Sequence, residues 1–373
     1  MSRIYNRYKQ RSVASESAAD MDRKHQEAAG VTGWVPGARD SLGAAVQGVP
    51  LMDVDSLAVS FGRGKSRVLA VNNVSFTIGH GEALGLVGES GCGKSTLVRT
   101  LVRLQEPSEG IVRFQGRDLS SLRAGHLKHF RTQVQMIFQD PYGSLNPRLQ
   151  VGRALGEVLG LHGRGDRRSR DPLVAGLLEA VGLNPLHANR YPHEFSGGQR
   201  QRVGIARALA VQPRLLIADE PVSALDVSVQ VQILNLLKDL QQDRKLTILF
   251  VAHDLAVVRY LCSRILVMYR GRVVEAAGSG PLYSKPLHPY TKALMSAVPD
   301  VSRSLDNREH GGRRRVLGGD VPPPSQKISG CPFHSRCAFS KERCIEEAPS
   351  LREVRGGHYA ACHFAEDLVP DST

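Results

Sequence analysis

The stretch EALGLVGESGCGKSTLVRTLVRL leaves a chain few folds to choose from. Ala83–Val87 is apolar throughout and reads as a buried strand, Gly88–Ser95 fits G-x-x-x-x-G-K-S/T, and an amphipathic helix starts at once. Strand, glycine-rich turn and helix in that order make a phosphate loop on a parallel α/β sheet. The backbone N–H groups of Gly88, Glu89, Ser90, Gly91, Cys92 and Gly93 can wrap a β-phosphate, because glycines carry no side chain to hold it off. The helix N-terminus adds a favourable dipole. Lys94 then reaches the β- and γ-phosphates, and the Ser95 hydroxyl, followed by Thr96, is placed for Mg2+.

A phosphate loop alone serves kinases, GTPases and motor ATPases alike. PRLLIADEP narrows the choice: apolar Leu215 to Ala218 precede Asp219 and Glu220, so a strand carries two carboxylates to the sheet's C-terminal edge, where nucleotides bind in such folds. Asp219 would orient Mg2+ and its waters. Glu220 would polarise an attacking water, which suits hydrolysis better than transfer to a bound acceptor.

Between these sites, HEFSGGQRQRVGIARALA opens a helix at Ser196 that runs to Ala210, a second anion-binding helix start in one chain. FSGGQRQR resembles the LSGGQ signature of ABC transporter ATPases, with Phe195 in the leading position. Further elements follow that family's order: Gln139 in QMIFQDPYGSLNP, SALD at Ser223 to Asp226, and FVAHD, which ends a strand with His253 as the switch histidine. The resemblance covers about Met52 to Ala277. It implies an α/β P-loop NTPase domain with a helical signature subdomain, using ATP and Mg2+. Lys94, Gln139, Glu220 and His253 would serve catalysis, with Gln139 joining Ser95 and Asp219 around the metal. Ser196, Gly197, Gly198 and Gln199, with Asp226 of the D-loop, would close over nucleotide held by a partner subunit's phosphate loop. Phe61, in LAVSFGRGK, is the candidate for stacking on adenine.

DPYGSLNPR, SALDVSVQVQILNLL and HPYTKALMSAVP resemble the ATPase subunits of dipeptide and oligopeptide permeases, and FQDPYGSLNP looks more like the second of the two such subunits found together. That implies a second ABC ATPase beside this one, two transmembrane permease subunits above them, an extracellular substrate-binding protein, and work at the cytoplasmic face of the membrane. The apolar runs are too short to cross a bilayer, and the first thirty residues hold no signal-peptide core. The formal charge of +13 would also suit an ABC-type ATPase acting on nucleic acid. Against that rival, the chain carries one cassette without long insertions, and its basic residues are spread rather than gathered in an aromatic-rich stripe, so no nucleic-acid partner is expected.

The organisation read from composition is an extension of little order at 1–50, the ATPase domain at 51–278, a helical segment at 279–300, and an Arg-rich linker with a loop-rich cysteine domain at 301–373. That last domain gathers Cys331, Cys337, Cys344 and Cys362 in the spacing C-x5-C-x6-C-x17-C. In a reducing compartment, free thiols, zinc and iron–sulfur remain as readings; the absence of a close C-x-x-C pair speaks against a zinc ribbon. GCPFHSRC, APSL and YAAC resemble the extension of the same permease subfamily, which implies a 4Fe–4S cluster on these four residues. Cys92, at a helix N-terminus, reads as reactive, and Cys262 as core.

Overall fold

The computed structural model describes residues 48–62, 67–140, 143, 145–166, 169–296, 322–323, 326 and 328–367. Of the expected N-terminal extension only 48–50 belong to this range, and the Arg-rich linker lies outside it.

Among the described residues the first elements are an antiparallel pair, β1 (Met52–Phe61) and β2 (Val68–Ile78). β3 (Ala83–Val87) is buried along its whole length and passes through the phosphate loop into α1 (Lys94–Leu101). β4 (Glu109–Phe114) and β5 (Arg117–Asp118) return to the first pair, giving an antiparallel sheet of order β2-β1-β4-β5. α2 (Ala124–Gln133) leads to β6 (Val134–Ile137). Then α3 (Val151–Leu161), α4 (Arg170–Ala180) and α5 (Gly197–Leu209) pack on one another around Leu155, Leu159, Val174, Leu177 and Val203. This is the helical subdomain that the signature implied.

The chain then alternates β7 (Leu215–Asp219), α6 (Val227–Arg244), β8 (Thr247–Ala252), α7 (Leu255–Leu261), β9 (Arg264–Tyr269) and β10 (Arg272–Gly278). The helical segment is α8 (Ser279–Ser284) and α9 (Pro289–Ser296); the cysteine region holds α10 (Glu342–Glu346), β11 (Arg352–Arg355) and β12 (His358–Ala360). The second sheet runs β11-β12-β10-β9-β3-β8-β7-β6, parallel from β9 to β6 and antiparallel beyond.

Burial on both faces explains why these strands are near-continuous apolar runs. Ile248, Phe250 and Ala252 of β8 join one core with Ile265 and Val267 of β9, whereas Leu249, Val251, Leu266 and Met268 join the core on the opposite face. The parallel order sets the ends of β3, β7 and β8 side by side, so Gly88, Glu220 and His253 leave one edge of the sheet.

The cysteine region departs from its expected form. Its turns are loop-rich, but β12 pairs with β10, Glu275 opposite Ala360 and Ala276 opposite Tyr359, so its hairpin extends the main sheet. An edge strand with open N–H and C=O groups is thereby covered. Among the described residues, no helix is long and apolar enough to cross a membrane.

Candidate active site

Close packing accounts for two of the loop's glycines. A Cβ at Gly88 would lie 2.2 Å from the Met268 carbonyl oxygen, and one at Gly93, where φ is +106°, 2.2 Å from that of Ala70. Gly91, by contrast, borders open space. The sequence reading assigned all three to the ligand; for Gly88 and Gly93 the approach of β9 and β2 is already sufficient.

Lys94 is 4% exposed, and its Nζ donates to the carbonyls of Gly88 (2.7 Å) and Glu89 (3.0 Å) while standing 3.8 Å from Glu220 Oε1. Glu220 follows β7 in the left-handed region, φ 47°, its N–H donating to the Val251 carbonyl at 3.0 Å. That backbone conformation costs about 1–3 kcal/mol for a residue with a side chain. It aims the carboxylate back over the loop, where Oε2 accepts from Gln139 Nε2 at 3.1 Å and lies 3.4 Å from His253 Nδ1. Four side chains from four separate segments thus meet.

Asp219 sits behind them, 5% exposed. Burial raises its carboxyl above the ordinary range, with the charge of Glu220 adding to the effect; a hydrogen bond from Ser95 and the charges of Lys94 and Arg99 act the other way. Its Oδ1 is buried without a partner. An orphaned carboxylate oxygen beside a serine hydroxyl fits an oxygen-seeking divalent cation such as Mg2+.

A cavity of about 870 Å³ opens between these groups, near the upper end of the range for ligand sites. Ser90 to Thr96, Gln139, Glu220 and His253 line it, as do Val68, Leu69 and Ala70. Phe61 does not, but it ends β1 directly opposite Val68 and is 44% exposed. Gly88, Glu89 and Asp219 also lie off its wall, and the signature does not reach it. Ser196 caps α5 in a reciprocal box: its Oγ accepts from Gln199 N–H at 3.3 Å, and Gln199 Oε1 accepts from Ser196 N–H at 3.1 Å. A Cβ on Gly198 would meet Val229 at 2.3 Å, so this glycine lets α5 lie against α6, which Asp226 precedes as its N-cap residue. Ser196 and Asp226 are exposed.

The lining residues that escaped the sequence reading include Val68 to Ala70, Gly271, Arg270 and Pro322. Arg270 donates to the carbonyls of Pro323 (3.0 Å) and Gln326 (2.7 Å), tying the segment before the cysteines to the cavity's rim. Neither Arg270 nor Pro322 belongs to a recognisable motif. Cys92 needs correction: it is 2% exposed and burial raises its thiol pKa, against the reactive reading. Cys262 is core as expected, packed beside Gly85.

The four remaining cysteines line one cavity of about 20 Å³, together with His288, Phe333 and His363. All are free thiols. Burial is the main reason that Cys331 and Cys362 are each pushed up to about 11 and Cys337 is raised, with the neighbouring cysteines adding to it. The space is about that of one water. Among the described residues, no group of three or more His, Cys, Asp or Glu is arranged to hold a metal ion.

A glycine-rich loop with its lysine, an acidic strand end, and a glutamine and histidine closing on one carboxylate define a P-loop nucleotide site of the ABC class. The ABC transporter family model matches residues 71–223, and that of the oligopeptide/dipeptide transporter C-terminal region matches 274–344. The chain is 50% identical over 318 residues to the putative oligopeptide transport ATP-binding protein YkfD of Bacillus subtilis, covering 85% of this chain and 96% of YkfD. It is 50% identical over 305 residues to the oligopeptide transport ATP-binding protein AppF of the same organism, covering 82% and 92%. A dimeric ATP-binding cassette solved with ADP and phosphate superposes with a TM-score of 0.56 at 31% identity, over 61% of this chain and 98% of that one. CbiO1 of Clostridium perfringens, part of an ABC transporter complex, gives 0.58 at 26% identity, over 64% and 92%. The chain belongs to the ATP-binding subunits of ABC transporters.

Proposed function

We propose that this chain is the ATP-hydrolysing subunit of a peptide importer, working at the cytoplasmic face of a membrane with a second ATPase, two permease subunits and an extracellular binding protein. The observation that carries it is the meeting of Lys94, Gln139 and His253 on Glu220 at the mouth of the phosphate loop. Relatives named for oligopeptide transport support the substrate class. Lys94 neutralises the β- and γ-phosphates. Glu220 takes a proton from the attacking water, and Gln139 and His253 hold that carboxylate and the γ-phosphate in line. Ser95 and Asp219 would hold Mg2+, with Gln139 joining them; the ion supplies charge neutralisation at the phosphates. Ser196 to Gln199, on an exposed helix start, cover the nucleotide of the partner subunit, and Asp226 joins that interface. Phe61 stacks on the adenine. The test is reconstitution with the permeases in vesicles: ATP hydrolysis stimulated by peptide-loaded binding protein supports the reading, and stimulation by another solute class overturns the peptide assignment.

For the four cysteines the proposal is a 4Fe–4S cluster. Their convergence on one cavity and the absence of disulfides among them support it. Burial makes Cys331, Cys337 and Cys362 resist ionisation singly, and a cationic cluster would supply the charge that four thiolates need. Binding would require the side chains to open around a centre larger than the present space. Anaerobically purified protein should be brown with about four irons per chain; colourless protein carrying zinc would overturn the assignment and leave the ATPase untouched.

A further inference from the structure

Glu89, second residue of the phosphate loop, turns its carboxylate out of the cavity and into the cysteine region. Arg336 meets it in a two-point fork, Nη1 to Oε2 at 2.8 Å and Nη2 to Oε1 at 3.0 Å. The arginine side chain is 6% exposed. Such a fork fixes orientation as well as charge. The backbone of Glu89 is also engaged: its N–H donates to the Tyr290 hydroxyl at 2.9 Å, and its carbonyl is one of the two that hold Lys94 Nζ. Tyr290 packs against Tyr269 at 4.7 Å and Phe333 at 5.5 Å, and the Arg336 guanidinium lies 5.9 Å from the Tyr269 ring centre.

Phe333 and Arg336 both come from the turn between Cys331 and Cys337. That turn is held by Cys331 N–H donating to the Cys344 carbonyl and by His334 Nδ1 on the Cys331 carbonyl, each at 2.8 Å. A segment 247 residues downstream therefore grips the phosphate loop at its first side chain.

We infer that Arg336 is a positioning residue for the nucleotide, through which the cysteine module clamps Glu89 and sets the phosphate loop and Lys94 for ATP. This rests on the ATPase reading above. An unpaired carboxylate at position 89 would repel the polyphosphate, and in a site of reduced dielectric that repulsion is felt at several ångströms. Turned aside and neutralised by Arg336, it is removed from the ligand's field. The clamp also fixes the Glu89 carbonyl, and with it one of the two contacts that Lys94 must exchange for phosphate oxygens.

The experiment uses the full-length chain, with Mg-ATP binding followed by calorimetry and hydrolysis by steady-state kinetics. Arg336→Gln should weaken ATP binding and raise KM about tenfold while kcat changes less than about threefold. Arg336→Lys should recover part of this, since a lysine makes one contact where the fork makes two. Adding Glu89→Gln to Arg336→Gln removes the exposed charge and should bring affinity to within about threefold of Glu89→Gln alone, a non-additive pair. Arg343→Gln, which breaks an exposed pair with Glu347 in the same region, should leave affinity unchanged. Should Arg336→Gln fail to fold, hydrogen exchange at 88–93 in Glu89→Gln gives a readout that needs no turnover, with faster exchange expected. Wild-type affinity in Arg336→Gln, strict additivity of the pair, or unchanged exchange overturns the clamp. A wild-type chain that binds no ATP overturns the ATPase reading instead.

Discussion

Gln139 and His253, carried by segments after different strands, meet at one oxygen: Glu220 Oε2 lies 3.1 Å from Gln139 Nε2 and 3.4 Å from His253 Nδ1. The other oxygen of the same carboxylate faces Lys94 at 3.8 Å. In the proposed function, a carboxylate held beside Lys94 in this way is the group that meets the attacking water. Three partners and a left-handed backbone fix it before its chemistry is needed.

Glu220→Gln should therefore keep Mg-ATP binding within a few-fold of wild type and lower turnover by about 100-fold or more, the scale of a lost general base. The amide keeps the shape and the contact to Lys94's neighbourhood but takes no proton. A stable ATP-bound dimer should accumulate, seen by size-exclusion chromatography. Turnover close to wild type would remove Glu220 from the role of base.

Much of this site was legible in the chain because its signals are local. Ala83–Val87, Leu215–Asp219 and the helix opened by Ser196 come from contiguous residues, and each has the form that its pattern predicts. What was not legible depends on distance. Nothing near Arg336 announces a partner 247 residues earlier. Arg270 reaches the cavity's rim only because β9 ends beside the loop. The β11–β12 hairpin was within reach, since REVRGGHYA places Gly-Gly between short alternating runs, but its docking on β10 is a tertiary choice.

Lys94→Ala and Ser196→Arg should fail differently. The lysine contacts its own subunit's phosphate loop, so its loss should weaken nucleotide binding; the serine lies on an exposed helix start off the cavity wall, so its change should spare binding and stop hydrolysis. In a mixture that exchanges subunits, some dimers should hold one intact composite site and regain activity. Mixtures that stay inactive despite measured exchange, in a protein whose sites fire independently, would remove the support for a signature acting in trans.

Asp219 predicts a pH dependence of metal binding. Its carboxyl is raised, chiefly by burial, so it takes up a proton at a higher pH than an ordinary carboxylate. Mg2+ needs the deprotonated form, so affinity should fall as pH drops through that raised value, while still above the usual carboxylate range. Asp219→Asn should bind Mg-ATP weakly at every pH and lose this dependence. An Mg2+ titration followed by nucleotide fluorescence checks both; an unchanged pH profile in Asp219→Asn would transfer the effect to another group.

The last prediction concerns how the cysteine hairpin is fastened to the ATPase. Glu275 of β10 is fully buried and accepts from the N–H groups of Leu287 (2.7 Å) and His288 (2.9 Å), with His358 Nε2 of β12 at 2.7 Å. His288, 1% exposed, faces this carboxylate, and its Nδ1 accepts from Tyr290 N–H at 3.1 Å, which requires a neutral ring at that nitrogen. Burial pushes its pKa down to about 4, against a weaker upward pull from Glu275. The unfolded chain, with an ordinary imidazole near 6.5, then binds more protons between those two values. Stability from this residue is complete above about pH 6.5 and is lost as pH falls toward 4, by about 3 kcal/mol in all. Urea unfolding midpoints should drop across that window in the wild type. In His288→Asn, which keeps an acceptor but does not titrate, the drop should be smaller, and an equal slope would assign the acid sensitivity elsewhere. Because Tyr290 also holds Glu89, the same acidification should weaken ATP binding as the hairpin loosens, measurable below pH 6 in the folded population.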